Sequence, residues 1–287
     1  MAVLGIGLMG SPMARRLCEA GFPVTGWNRS PGKAERLLAH GGQVAASAAE
    51  AVREADVVIT LLSDGPAVAA VLLSPEVRAA LRPGTLVVDM SSIKPDEARE
   101  HARRLADQGV RHVDAPVSGG TVGAEQGSLA IMAGGDAADV AALAPLMAVL
   151  GRCTHVGPHG SGQLAKLANQ MIVGITIGGV AEALLLAAKG GADMGKVREA
   201  LMGGFADSRI MQLHGQRMVE RDFAKRAAMT VQLKDMRNAL ATAASMGFEA
   251  PVTELFESLY AQAVQDGLSE LDHSGLFVAL AQRNGMT

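Results

Sequence analysis

The sequence predicts an α/β protein: an N-terminal doubly wound, mainly parallel sheet, then an all-α C-terminal region, joined by one long interdomain helix. Three observations predict it. Short apolar runs alternate with helical patterns over the first half of the 287 residues. Strand-like runs stop near residue 160, and from there helical patterns continue between glycine pairs. At roughly 100–200 residues per domain the length fits two domains. They are placed at residues 1–161 and 162–287, with a glycine-rich hinge at residues 157–162.

The first run is Ala2-Val3-Leu4, followed by Val24-Thr25-Gly26-Trp27, residues 57–62, residues 86–90, His112-Val113-Asp114-Ala115 and residues 129–133. These runs are mostly rich in Val, Ile and Leu and are bounded by Gly, Pro, Asn, Asp or Ser, the pattern of short strands. Helices are expected between them. Ser47-Ala48-Ala49-Glu50 is a capping-box pattern. Pro95 sits at a first helical position, with Asp96 and Glu97 behind it to complement the helix dipole. Such alternation implies parallel strands with helices on both faces. Beyond the hinge, residues 163–189 read as one helix, some ~40 Å long at about 1.5 Å per residue. Further helices are expected at residues 195–202, 229–246, 251–265 and 273–281, punctuated by Gly190-Gly191 and Gly203-Gly204.

Composition excludes several functions. With 26 basic and 29 acidic residues, a net charge of −3 and only 1 Trp, 1 Tyr and 6 Phe, the chain has neither the cations nor the rings of a nucleic-acid binder. Cys18 and Cys153 cannot build a disulfide framework, and the first residues lack the basic start of a signal peptide. A reduced, cytoplasmic chain is expected. Residues 171–188 are almost wholly apolar and barely long enough to span a bilayer. Glu182 would cost a few kcal/mol there, so a helix buried at a domain or subunit interface is expected instead, and no membrane partner. The 34 glycines exceed the usual share of roughly 7% and need a backbone reason.

Part of that reason is Gly5-Ile6-Gly7-Leu8-Met9-Gly10, a G-x-G-x-x-G loop with a short strand before it and an apolar-periodic helix after it. In a Rossmann-type fold such a loop turns tightly, lets the backbone approach a pyrophosphate and aims a helix N-terminus at it. The second strand ends in Asn28-Arg29-Ser30, with no carboxylate to hold a ribose 2′-hydroxyl or repel a 2′-phosphate. Arg29 can pair with that phosphate. NADP is therefore expected over NAD, with Arg29 as a plain surface charge the competing reading. Leu62-Ser63 and Ser91-Ser92 lie at or past strand ends, where an open α/β sheet binds its ligand; helix capping is the alternative for the serines.

Three further segments carry candidate chemistry. Ser118-Gly119-Gly120 places a hydroxyl beside bare backbone N–H groups, which suits a small carboxylate or a simple turn. Lys166 and Asn169 are three apart and share one helix face. A lysine on a largely apolar helix is either a desolvated proton donor and acceptor or a snorkelling side chain. Lys234-Asp235 on a later helix reads by default as a surface pair. No metal-ligand pattern is found.

Taken in order, these motifs resemble the β-hydroxyacid dehydrogenase family, which includes 3-hydroxyisobutyrate dehydrogenases and tartronate semialdehyde reductases. The resemblance runs through the glycine loop, Asn28-Arg29-Ser30, residues 114–135, residues 162–169 and Lys234-Asp235. It implies that Lys166 is the catalytic lysine, that Ser118, Gly119 and Gly120 hold the substrate carboxylate, and that Asn169 orients the substrate. It places Lys234 near cofactor or substrate, and Ser92 where the family often has Thr near the nicotinamide. The implied reaction is hydride transfer between NADPH and a short semialdehyde acid, with Lys166 as general acid. Lys166-Leu167-Ala168-Asn169-Gln170, Asp266-Gly267-Leu268 and Asp272-His273-Ser274 look most like tartronate semialdehyde reductases. Enzymes for 3-hydroxyisobutyrate, succinic semialdehyde or threonate are the alternatives within the family.

Lysine at 166 argues against an imine reductase. The same lysine, and the lack of an added basic segment, argue against a non-enzymatic dinucleotide-binding assembly module. A decarboxylase of the 6-phosphogluconate type would need a larger helical domain. Gly174-Ile175-Thr176-Ile177-Gly178 offers a smooth strip for close helix packing, and a homodimer or homotetramer formed through the α-region is expected.

Overall fold

The computed structural model describes residues 1–30 and 32–286. The chain divides into two compact units, Met1–Lys166 and Leu167–Thr287.

The first unit is built on a single sheet: β1 (Ala2–Leu4), β2 (Thr25–Trp27), β3 (Gln43–Val44), β4 (Val57–Thr60), β5 (Leu86–Asp89), β6 (Arg111–Asp114), β7 (Val117–Ser118), β8 (Leu129–Gly135) and β9 (Gly151–Gly157). The spatial order is β3-β2-β1-β4-β5-β6-β8-β7, with β9 on β8. From β3 to β6 every pairing is parallel, and β8 runs antiparallel to β6 and β7. The order reverses between β1 and β4, where doubly wound sheets open a ligand crevice beyond the strand ends. Alternate residues feed two separate cores. Val3, Ile59 and Val88 join one, while Ala2, Leu4, Val58 and Val87 join the other. A period of two that is apolar on both faces is what a sheet covered by helices on both sides requires.

The second unit is helical. Ile177, Val180, Ala181, Leu184 and Leu185 of the long helix Ser161–Lys189 share a core with Met236, Phe256, Tyr260 and Phe277. By length and composition this helix could cross a membrane. Its apolar residues divide between that core and the surface, where Ile172 is 65% and Leu186 75% exposed. The glycine strip serves the unit's own packing. A Cβ at Gly174 would press on Met236 and Gln232, and one at Gly178 would strike the Phe256 ring. The small residues are therefore needed inside the unit.

The boundary between units falls within the helix because its first turn is bonded to the sheet unit through Gln163 and Asp114, described below. Three strands escape the sequence reading: β3, β7 and β9. The first two are only two residues long, and β9 is a half-polar, largely exposed edge. The helix Arg209–Glu220 also escapes it, although Ser208 caps it by accepting from the Met211 N–H at 3.0 Å. Expected helix 273–281 is instead a short turn, His273–Gly275, running into the helix Leu276–Arg283.

Candidate active site

The glycine loop leaves β1 and enters the helix Gly10–Glu19. The Gly5 N–H donates to Trp27 O at 2.9 Å, which ties the loop to β2. Gly5 has φ +111°, and a Cβ there would run into Leu61 O. Gly7 differs: a Cβ there would meet nothing within 4 Å, so its backbone faces open space. No side chain caps the helix start, which leaves its terminal N–H groups for an anion. Gly7, Leu8 and Ile6 line a cavity of about 550 Å³ together with four basic residues, Arg15, Lys33, Arg36 and His40, and one acidic residue, Glu125. A tight turn, an open glycine and a cavity in which basic side chains outnumber acidic ones fit a dinucleotide. The basic residues after β2 are the part of this cradle that motif reading missed.

Asn28 and Arg29 stand at the end of β2, Arg29 exposed, and the Asn28 side chain donates to Ser30 O at 3.1 Å. At the ends of β4 and β5 the serines resolve into different roles. Ser91 is buried and its Oγ accepts from the Leu62 N–H at 2.9 Å, so it joins the two loops. Asp64, not Ser63, caps the next helix by accepting from the Ala67 N–H. Ser92 is half-buried beside this junction.

Beneath Ser91 lies a buried polar step. Asp89 accepts from Thr60 Oγ1 at 2.7 Å and from the Ser91 N–H at 3.0 Å, while burial pushes its carboxyl above the ordinary value. Its register partner Asp114 ends β6. Asp114 is also fully buried, and its two oxygens accept from the Gly160 N–H at 2.8 Å and the Gln163 N–H at 2.9 Å. Burial raises its carboxyl to about 6, against the downward pull of those hydrogen bonds.

Asp114 thus caps the start of the long helix. Gln163, itself fully buried, extends the joint: its Nε2 donates to Ser91 O at 2.8 Å and its Oε1 accepts from the Ile93 N–H at 3.0 Å. Three residues on, Lys166 is 9% exposed. The sheet unit therefore fixes three segments to one another: the loop of Ser92, the turn bearing Lys166, and β6, whose exit leads to Ser118. At that exit Ser118 is half-buried, and Gly119 and Gly120 have φ of +139° and +62°, backbone a side chain would strain. Neither Asp114 nor Gln163 has a spacing motif of its own. For Gln163 the available signal is a polar residue in the first turn of an apolar helix; Asp114, at the end of β6, is far from that helix in sequence and carries none.

In the helical unit, Asn169 Nδ2 donates to Gln170 Oε1 at 2.8 Å. Gln170 Nε2 donates to Asp235 Oδ2 at 2.7 Å, and Asp235 Oδ1 lies 3.1 Å from Lys234 Nζ. Asp235 is buried, so Lys234-Asp235 is not the surface pair that spacing suggests. His214, Asp272 and His273 bring ligand atoms within 4.8 Å of one another. Asp272 already accepts from Arg217 Nη1 at 3.2 Å, Ser274 Oγ at 2.6 Å and the Ala227 N–H at 3.0 Å. That arrangement is an ion-pair hub whose guanidinium opposes a metal cation.

Two family descriptions cover the chain. Residues 1–157 match the NAD binding domain of 6-phosphogluconate dehydrogenase. Residues 160–280 match a domain described as NAD-binding of NADP-dependent 3-hydroxyisobutyrate dehydrogenase. The chain is 41% identical over 283 residues to 2-hydroxy-3-oxopropionate reductase of Escherichia coli K12, covering 98% of this chain and 96% of that protein. It superposes on the 3-hydroxyisobutyrate dehydrogenase of Mycobacterium tuberculosis, solved with L-serine, with a TM-score of 0.89 and 34% identity, covering 97% of this chain and 98% of that one. It also superposes on Psf3 in complex with NADP+ and 2-OPP, with a TM-score of 0.90 and 26% identity over 97% and 99% of the two chains. Fold, glycine cradle and these likenesses agree: the chain belongs to the 3-hydroxyisobutyrate dehydrogenase-like β-hydroxyacid dehydrogenases, NAD(P)-dependent oxidoreductases.

Proposed function

We propose that the chain is an NADP-preferring reductase that interconverts tartronate semialdehyde (2-hydroxy-3-oxopropionate) and its hydroxy acid. The observation that carries the reaction class is Lys166, buried at the head of a helix whose first turn is bonded to the ends of β5 and β6. When bound, the dinucleotide supplies or takes the hydride. Lys166, as ammonium, gives a proton to the oxygen of the aldehyde being reduced, and in the neutral form takes it back during oxidation. Ser118, Gly119 and Gly120 hold the carboxylate, and Asn169 orients the substrate. By the family resemblance, Ser92 and Lys234 would each serve the nicotinamide end of the bound cofactor.

The reading of substrate rests on the 41% identity to 2-hydroxy-3-oxopropionate reductase. The L-serine in the mycobacterial relative's structure favours a second reading, a 3-hydroxy acid carrying an amine. Preference for NADP is supported by the exposed Arg29 at a β2 end without a carboxylate, and by Lys33 and Arg36 lining the adjacent cavity. The apolar surface at Ile172 and Leu186 supports a homodimer or homotetramer formed through the α-region, which light scattering at micromolar concentration reads as a multiple of the chain mass.

A panel of glycerate, L-serine, 3-hydroxyisobutyrate and 4-hydroxybutyrate, with tartronate semialdehyde in the reverse direction, tests the substrate by kcat/KM. NADPH should exceed NADH in the same assay; the reverse preference removes the phosphate role of Arg29. Lys166→Ala should lower kcat by roughly 10²–10⁴-fold while the Kd for NADPH stays within about twofold. Near-normal turnover would remove Lys166 from the chemistry.

A further inference from the structure

The helical unit carries a line of polar groups that ends at Asn169. Asp235 is 1% exposed on the helix Met229–Ser245, so its charge has to be met by donors. Gln170 Nε2 supplies one at 2.7 Å, and Lys234 Nζ sits on the other oxygen at 3.1 Å. A carboxylate only accepts, so Gln170 must turn its NH₂ towards Asp235 and its oxygen towards Asn169. Asn169 must then direct its NH₂ to Gln170, at 2.8 Å. Its Oδ1 becomes the acceptor it can offer a ligand. A solitary asparagine flips at little cost. Here a flip sets two acceptors against each other at the first link. Gln232 steadies the frame: buried on the same helix as Asp235, it donates through Nε2 to Gln170 O at 2.9 Å.

We infer that Asp235 and Gln170 are positioning residues that fix Asn169 as a hydrogen-bond acceptor, so that the site selects a substrate bearing a hydroxyl or ammonium donor beside its carboxylate. The inference rests on the proposed contact between Asn169 and substrate. It gives Asp235 a second task besides pairing Lys234, and it accounts for a buried charge that the hydride transfer itself does not use. An acid that offers only a carbonyl oxygen or a methyl group at that position leaves Asn169 Oδ1 without a donor.

The test is a double-mutant cycle with the best hydroxy acid of the panel. Asn169→Ala should lower kcat/KM by roughly tenfold or more, the size of one lost oriented hydrogen bond. Gln170→Met keeps the volume, leaves the Lys234–Asp235 pair in place and cuts the line. It should cost about fivefold, mainly in KM, with the Kd for NADPH unchanged, and should cost nothing further in the Asn169→Ala background. Independent, multiplying losses would overturn the inference. If Asn169→Ala leaves turnover intact, the substrate contact fails instead, and the line is read directly by NMR. The Asn169 side-chain amide protons should then shift and exchange faster in Gln170→Met and again in Asp235→Asn. Unchanged resonances in both variants would overturn it.

Discussion

The sheet unit and the helical unit each bury an aspartate completely at a backbone turn, and the surroundings drive the two carboxyls in opposite directions. Asp114 has two backbone N–H donors, and burial dominates: its carboxyl rises to about 6. Asp272 is desolvated too, but His214, Ser274, the Ala227 N–H and the charge of His273 outweigh burial and hold it well below the carboxylate range. Arg217 adds a guanidinium at 3.2 Å. Two N–H dipoles can shape a turn around a carboxylate without stabilising its charge fully, whereas cations stabilise the charge itself. In the sheet unit the aspartate orders the turn that carries the candidate catalytic lysine. In the helical unit it clamps the segments around Ala227, Arg217 and Ser274 to one another.

The largest expected effect comes from emptying the helical hub. Asp272→Ala leaves Arg217 and two histidines crowded together with no counter-charge, at roughly 3–5 kcal/mol of stability. Urea unfolding at neutral pH should show it, and a loss under about 1 kcal/mol would mean the hub is solvated. The two carboxyls also tilt the stability–pH curve oppositely. Asp272, lowered in the folded chain, stabilises above its unfolded value and loses that contribution only on strong acidification. Asp114, raised to about 6 from 3.8, favours the folded state at low pH and loses that contribution as pH rises towards neutral. The whole swing is roughly 3 kcal/mol, of which about 1 kcal/mol falls between about pH 5 and 7. The stability of the wild type minus that of Asp114→Asn should therefore decline across that interval. A difference that stays flat or climbs would show that the carboxyl is not raised.

The same contrast explains what could be read from the sequence. The sheet unit advertises its site because strand ends deliver backbone, and backbone demands leave fixed spellings: Gly5, Gly7 and Gly10, or Gly119 and Gly120. Its strands β1, β4 and β5 are legible because both faces are buried and the runs are apolar up to the polar residues, Thr60 and Asp89, that end β4 and β5. The edge β9 was not, since an exposed strand has no apolar requirement. In the helical unit the polar line crosses between helices, from Gln170 to Asp235, and no sequence period records such a crossing. Lys234-Asp235 looked like a surface pair because adjacency in sequence says nothing of which side chain is buried. The glycine strip 174–178 was legible as a packing device, but its partner was not: Gln232, Met236 and Phe256 lie far along the chain.

A matched pair of glycine substitutions separates the two units most cleanly. Gly178→Ala drives a methyl group into the Phe256 ring inside the helical core. Overpacking of this kind costs about 1–3 kcal/mol, so the midpoint of unfolding should fall while the Kd for NADPH stays the same. Gly7→Ala places the same methyl group in open space. It should leave the unfolding midpoint nearly unchanged and raise the Kd for NADPH by roughly tenfold, because a pyrophosphate can no longer approach the backbone. One added carbon then acts on folding in one unit and on binding in the other. If Gly7→Ala unfolds the protein as Gly178→Ala does, the glycine loop is a packing feature and the open face at Gly7 is not the phosphate's approach. If neither variant moves the Kd, the dinucleotide is held by the cations around the cavity and the loop contributes only its turn.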